Sequence, residues 1–344
     1  MKHYLIPENG QFYKANLHTH TTVSDGCKTP EEIKEIYKAH GYSVVAYTDH
    51  EVMVDHSDLN DEDFLAITSY EVHTGGPALY GDFGEHPCYH LNFYAKNPHE
   101  THYPCPNPAY VWGRARDYAE GQDYYKGDYK RIYSAEGQNE MIAEALSMGY
   151  LVSYNHPNWS KQTYSHYIGL EGITALEVYN TGCAVGGWTL DESDHVLDDF
   201  LMEGKRVYPV ATDDNHGHHD MCGGWVRFKA PALTYDHIMT AYERGDFYAS
   251  WGPEIDGLYL EDGVLKLDFP AESHVCRVAV HSAARWAAVR YGENMTHVEI
   301  DMSGFFNDMK RLRYPDDRGY FRVVVFDDRG NRAVTRGYFL DELE

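Results

Sequence analysis

No run of roughly 18 consecutive apolar residues occurs in the chain, so no segment reads as a membrane-spanning helix. The opening stretch MKHYLIPENGQFYKANLH has neither a basic start followed by an apolar segment nor a small-residue cleavage site, and a cytoplasmic location is the expectation. Cysteine is sparse. Cys27, Cys88, Cys105, Cys183, Cys222 and Cys276 are scattered without a Cys-x-x-Cys pair, which excludes a zinc ribbon and a disulfide framework and makes them reduced core or loop residues. Basic residues are scarce as well: 29 Lys and Arg stand against 54 Asp and Glu, a formal net charge of -25. Such a surface repels a nucleic-acid backbone, so polymeric DNA or RNA is excluded as a partner, while a small anion can still be drawn to local cations. No internal repeat or low-complexity segment appears.

What is present is enough apolar material, 43% of 344 residues, for one large domain with a small companion. From the start, apolar runs alternate with helical patterns, the grammar of parallel βα units. FYKANLH reads as a strand, followed by TPEEIKEIYKAHG, where Thr29 is an N-cap, Pro30 fits the first helical position, Glu32 completes a capping box and Gly41 marks the stop. Further strands are expected at SVVAYTDH, FLAITSYEVH, YHLNFYA, YLVSYNHP, ALEVYN, VYPVATDDNH and GWVRFKA, with helices near 136–148 and 190–203 and at TYDHIMTAYERG. Residues 97–133 break this rhythm, and so long a structureless stretch reads as an insertion over a site. After Gly252-Pro253 the pattern turns to strands and turns, with an Asp-Gly hairpin in GLYLEDGVLKLDF and a Gly-Asn turn in YFRVVVFDDRGNRAVTRGYF. The expected division is an α/β unit over 1–253 and an all-β unit over 254–344.

One strand after another ends in a histidine or a carboxylate, and in a parallel α/β barrel those ends share one rim. Residues two apart on a strand share a face, which pairs His18 with His20 and Asp214 with His216, and sends Asp213 to the other side. In TDH only one of Asp49 and His50 can face in; His50 is taken as a ligand and Asp49 as a group that orients it. Asp25, Glu71, His90 and His156 complete nine nitrogen and oxygen donors, three for each of three divalent ions, with Glu71 able to bridge two of them. A donor set without thiolate suits zinc, manganese or iron(II) rather than calcium or magnesium alone.

The ordered motifs HxHT with a following Asp, TDH, a strand-end Glu, HLN, NHP and a late DxH, spanning Asn16 to His216, resemble the PHP (polymerase and histidinol phosphatase) family. That resemblance implies a distorted seven-stranded (βα)7 barrel, a trinuclear metal centre and phosphoester hydrolysis. Carried over by position, it gives His18, His20, Glu71 and Asp214 to one ion, Glu71, His90 and His156 to a second, and Asp25, His50 and His216 to a third. The stretch from Gly223 to Ile255 and the closing RVVVFDDRGNRAV are similar to the subgroup that carries a β-sandwich after the barrel. Two departures stand out: the insertion is long and tyrosine-rich, lying within a stretch that has ten tyrosines from Tyr80 to Tyr133, and SYEVH offers His73 on the same face as Glu71.

The expected activity is a metal-dependent phosphoesterase acting on a small anionic ester of nucleotide or sugar phosphate type, since divalent ions lower the pKa of bound water to about 7. Glu71, Asp49 and Glu177 are the expected catalytic carboxylates. Arg114, Arg116 and Lys161 are the expected substrate cations, because arginine forks onto a phosphate. The competing readings are the same centre cleaving a non-phosphate ester, amide or carbamate, and a metal-binding module without catalysis. The β unit is expected to cover the barrel or to meet a second copy of the chain.

Overall fold

Thr29 closes the first helical turn as the capping box predicts: its Oγ1 accepts from Glu32 N at 3.2 Å and Glu32 Oε2 accepts from Thr29 N at 3.0 Å. The helix it starts, α1 (Pro30–Ala39), buries Ile33 and Tyr37. Tyr37 donates its hydroxyl to Asp213 Oδ2 at 2.7 Å, so the helix grips the underside of the late strand. The computed structural model describes residues 2–77, 86–187 and 193–343.

The strands, in chain order, are β1 (Lys2–Tyr4), β2 (Gln11–Asn16), β3 (Val44–Tyr47), β4 (Leu65–Gly75), β5 (Cys88–Ala95), β6 (Tyr150–Tyr154), β7 (Ala175–Asn180) and β8 (Tyr208–Thr212). From β2 to β8 each hydrogen-bonds to the next. The pairs β2/β3, β3/β4, β6/β7 and β7/β8 are parallel. A parallel bridge from Thr19 to Asn215, just beyond β2 and β8, joins the first of these strands to the last. β3, β5 and β6 are buried along their whole length, as strands covered on both faces must be.

β5 departs from the expected βα repeat, because it runs antiparallel to both β4 and β6. An antiparallel neighbour needs no crossover helix. The chain leaves and re-enters at one point, where Gly76 N donates to Pro87 O at 2.7 Å. An antiparallel strand begins at the rim where its neighbours end, so His90, the third residue of β5, still reaches that rim and stands opposite His73 of β4.

The insertion is more ordered than its sequence suggests. It holds α2 (Ala115–Ala119) and buries Tyr103, Cys105, Val111, Ala115, Ala119 and Tyr124. The chain goes on through α3 (Ala135–Ser147), α4 (Tyr164–Tyr167), α5 (Thr181–Val185) and α6 (Asp194–Met202). Residues 190–192 of the expected 190–203 helix lie outside the described residues; α4 and α5, each at most five residues long, are too short to show a helical period.

On the free edge of β2 lie β9 (Trp225–Ala230) and then β10 (Phe247–Ser250), with α7 (Tyr235–Arg244) between them in sequence. The later strands are β11 (Gly257–Glu261), β12 (Val264–Asp268), β13 (Val275–Ser282), β14 (Ala288–Tyr291), β15 (His297–Asp301), β16 (Tyr320–Asp327) and β17 (Arg332–Val334). The expected hairpin joins β11 to β12 with Asp262 and Gly263 both at positive φ, the geometry of a type I′ turn. The segment is not all-β, since α8 (Ser303–Leu312) packs Phe305 and Met309 into its core beside Leu265, Val280 and Val323. Nor is it built only from late residues: β1 pairs with β11, and the β17/β10 pairing, Ala249 opposite Val334, makes its second sheet continuous with the large one. Among the described residues no helix is long and apolar enough to cross a membrane.

Candidate metal centre

The strand ends bring the nine expected donors into one place. His18 Nε2 and His20 Nε2 lie 3.2 Å apart, and each meets Asp214 Oδ1, at 3.2 and 3.0 Å. Glu71 closes the figure, with Oε1 3.3 Å from His18 Nε2 and Oε2 3.5 Å from His20 Nε2. Four donors each about 2.1 Å from a common ion stand roughly 3.0–3.4 Å from one another, so these spacings are those of a ligand shell. Glu71 Oε1 also lies 2.9 Å from His90 Nδ1 and 3.5 Å from His156 Nε2, and Asp25 Oδ2 lies 3.3 Å from His216 Nε2 and 3.8 Å from His50 Nε2. The three groups share members: Glu71 belongs to two, and His20 stands in the first while also facing Asp25 and His50.

Several buried donor atoms make no hydrogen bond. His20 Nδ1 and His156 Nε2 are sealed from solvent without one, as are His50 Nδ1 and Glu71 Oε2, which lie 3.1 Å from each other. Burying such groups unpaired is costly, and a cation among them removes the cost. Imidazole and carboxylate donors are also those that zinc, manganese and iron accept, so the residues fit divalent ions.

The charges packed together here shift one another strongly. Burial raises the carboxyls of Glu71 and Asp214, yet the surrounding histidines, His90 and His18 foremost for Glu71 and His18 for Asp214, hold both well below the usual carboxylate range. Burial lowers His18 and His90, but Asp214, Glu71 and Glu177 hold His18 well above the imidazole range, and Glu71 does so for His90. His50 is driven down to about 3 by burial and by His20. His216 is raised to about 9 against its burial by the Asp25 hydrogen bond and by Asp214.

The backbone is bent to make this shell: His156 and Asp214 adopt positive φ, 26° and 51°, as does Glu51 at 62°. Non-glycine residues rarely adopt this conformation, and it concentrates where surrounding structure enforces it at functional sites. Asp214 N donates to His18 O at 2.9 Å, which sets the two facing strands in register.

Two of the expected catalytic carboxylates are spent elsewhere. Asp49 accepts from Thr21 N, Thr21 Oγ1, Ser24 N and Ser24 Oγ at 2.6–3.0 Å, so it shapes the loop from His20 to Asp25 and does not face the reacting space. Glu177 takes the Nδ1 of His18 at 2.6 Å and the hydroxyl of Thr212 at 2.6 Å on Oε1, and His156 N and Asn180 Nδ2 on Oε2. It lies beneath the donors and orients them, leaving no lone pair for substrate. Asp213, placed on the far side by alternation, does lie there, bound by Thr181, Tyr37 and the Cys222 to Gly224 amides.

The expected substrate cations are also largely committed. Arg114 donates Nε to Ser24 O and Nη2 to Gly26 O at 2.8 and 2.7 Å, clamping the insertion onto the Asp25 loop. Arg116 is exposed and donates Nε to Val111 O at 3.2 Å. Lys161 sits at φ 58° in the turn after His156, half-buried.

Ser160, Asn155 and Cys88, which the sequence reading did not single out as site residues, and His73, which it placed on the face of Glu71, surround these donors. Ser160 Oγ meets His156 Nδ1 at 3.1 Å, and Asn155 donates to Glu71 Oε1 at 2.9 Å. His73 Nδ1 lies 2.7 Å from His90 Nε2, with Cys88 beside both. Cys88 is a free, buried cysteine, as expected; burial raises its thiol, but hydrogen bonds from His73 and His90 bring it down to about 5. The NHP motif gave a signal for Ser160, four residues on; nothing in the sequence marked Cys88.

No family model and no curated protein matches the sequence. Among solved structures, the chain is similar to a two-domain protein from Bacteroides vulgatus described as containing a PHP-like metal-dependent phosphoesterase, at 14% identity over 97% of this chain and 98% of that one, with a TM-score of 0.40. It is similar to a protein from Bifidobacterium adolescentis described as a metal-dependent phosphoesterase, at 17% identity over 63% and 91% of the two chains, TM-score 0.40. It is also similar to an amidohydrolase from Chromobacterium violaceum with bound sulfate, at 14% identity over 68% and 96%, TM-score 0.40.

Proposed function

We propose that this chain is a metal-dependent hydrolase of the PHP superfamily that cleaves a small phosphate ester at a centre of three divalent ions. The observation that carries the reading is the shell of His18, His20, Glu71 and Asp214, whose donor atoms stand at ligand-shell spacing with orphaned, buried atoms among them. Glu71, His90 and His156 would hold a second ion, and Asp25, His50 and His216 a third. The seven-strand order closed by the Thr19 to Asn215 bridge supports a distorted barrel for residues 1–253, with 254–344 buttressing it along the Ala249 to Val334 ladder.

Bound divalent ions would supply a nucleophile at neutral pH and charge relief on the oxygens of the scissile group. The chain sets the conditions for this. Glu177 Oε1 lies on Nδ1 of His18 and Ser160 Oγ on Nδ1 of His156, so each ring turns its Nε2 toward the centre, where a divalent ion would take it in deprotonated form. Asp49 fixes the loop that carries Asp25, and Arg114 pins the insertion over it.

A second reading, hydrolysis of a non-phosphate ester, amide or carbamate at the same centre, is favoured by one observation: Arg114 spends its guanidinium on backbone carbonyls rather than facing a substrate phosphate. Elemental analysis of metal-replete protein, with assays on phosphomonoesters, phosphodiesters, carboxyl esters and carbamates, tests both. Phosphate release that disappears in His20→Ala and Asp214→Ala supports the phosphoesterase reading. Activity confined to carboxyl esters or carbamates selects the second, and a full complement of ions with no hydrolysis overturns both.

A further inference from the structure

Of the tryptophans in the described residues, Trp251 is 7% exposed and Trp225 and Trp286 are half-buried, whereas Trp112 and Trp159 are 45% and 40% exposed. Those two are also the ones whose rings meet candidate metal ligands. The Trp112 ring lies 5.5 Å from that of His50, and the Trp159 ring lies 5.7 Å from His90 and 5.1 Å from His156. His50 and His90 themselves stand edge to face at 5.9 Å, so a continuous file of rings crosses the centre with an exposed indole at each end. A large apolar ring left in water costs free energy that folding ordinarily avoids, and two of them bordering one centre call for a ligand.

The chain carrying each indole is anchored beside it. Trp112 lies two residues before Arg114, which is clamped to Ser24 O and Gly26 O. Trp159 sits in a turn closed by Ser160 N to His156 O at 3.1 Å and Gln162 N to Pro157 O at 2.9 Å. A rigid aromatic surface recognises a flat π system by stacking and gives little to a small saturated group.

We propose that Trp112 and Trp159 form a binding subsite for a planar aromatic ring carried by the substrate next to its scissile bond. The inference rests on the hydrolase reading above and adds the class of leaving group: an aryl ester. Water adds its oxygen to the acyl or phosphoryl atom, the bond from that atom to the aryl oxygen breaks, and the departing aryl oxide takes up a proton from the water, so that ester and water give acid and arenol.

The test compares 4-nitrophenyl phosphate with methyl phosphate on the metal-loaded wild type, on Trp112→Ala and on Trp159→Ala. Quenching of tryptophan fluorescence by 4-nitrophenol is followed in parallel on the wild type and on the double variant. Each substitution is expected to raise KM for the aryl ester by about tenfold and to leave methyl phosphate within about twofold, with Trp→Phe recovering most of the loss. Saturable quenching is expected in the wild type and absent from the double variant. Equal losses on both esters would mean that the indoles only shield the centre, and equal quenching in both proteins would mean that no ring binds there; either overturns the proposal. If the loaded wild type cleaves neither ester, the phosphoesterase reading fails, and the quenching comparison still decides the subsite.

Discussion

Arg131 forks its guanidinium onto Glu51, Nη1 to Oε1 and Nη2 to Oε2, both at 2.6 Å, with the two side chains only 2% and 1% exposed. Glu51 follows the candidate ligand His50, and its Oε1 also accepts from His73 N at 3.0 Å. Arg131 in turn donates to His73 O, receives Tyr124 as a neighbour on Glu51 and covers the Tyr110 ring at 4.1 Å. The pair therefore ties the end of the insertion to the two strands that carry His50 and Glu71.

Breaking a buried pair on one side leaves a charge in a low-dielectric site. Arg131→Met is expected to cost about 3–5 kcal/mol of unfolding free energy, and Arg131→Met with Glu51→Met to recover part of it. Urea unfolding of the metal-free proteins measures both, and a single variant within about 0.5 kcal/mol of the wild type would mean that the pair does not hold the insertion.

Glu177 fixes the tautomer of His18, and a partner of that kind affects metal affinity about 10–100-fold. Glu177→Gln keeps the shape but puts an amide where a carboxylate accepts four hydrogen bonds. Weaker retention of the ion in the His18 shell is expected against a competing chelator, with the fold retained by circular dichroism. Unchanged retention would sink the orienting role.

The clustering of the candidate donors was legible because all but Asp25 sit on or within a few residues of an apolar strand, where a histidine or carboxylate has no packing reason to be. Alternation told which neighbours share a face, as with Asp213 and Asp214. It did not tell how many hydrogen bonds a carboxylate already accepts, and so Asp49 and Glu177 read as catalytic. The direction of β5 was not legible, since a wholly buried strand has the same apolar run in either orientation. Helix α8 was hidden by its short amphipathic stripe, Phe305 and Met309. Arg131 and Glu51 lie 80 residues apart, and no local pattern pairs them.

Sharing of donors predicts how metal content responds to substitution. Asp25 belongs to one group, so Asp25→Ala should lose the equivalent of one ion. Glu71 belongs to two, so Glu71→Gln should lose more than one, and His18→Ala should lose an ion other than the one that Asp25→Ala loses. Elemental analysis after exhaustive dialysis reads this directly; equal losses in Asp25→Ala and Glu71→Gln would contradict a bridging role for Glu71.

The stability of metal-free protein should peak near neutral pH, because the histidines of the centre are shifted in opposite directions. His216 is raised from 6.5 to about 9, so its contribution is complete below pH 6.5 and is lost as pH rises through 9; His18 and His90, also raised, act in the same sense. His50 is lowered from 6.5 to about 3, so the unfolded chain gains a proton that the folded one refuses, and stability falls as pH drops from 6.5 towards 3. Glu71 and Asp214, held below their ordinary 4.5 and 3.8, add stability above those values that disappears on further acidification. Divalent ions bind deprotonated imidazole, so loading the centre should abolish the alkaline loss while leaving the acid limb, where protons displace the ions. Thermal unfolding from pH 5 to 9, in chelator and with added manganese or zinc, separates the two limbs. A melting temperature that stays flat between pH 6.5 and 9 in chelator would show that the raised imidazoles are not coupled to folding.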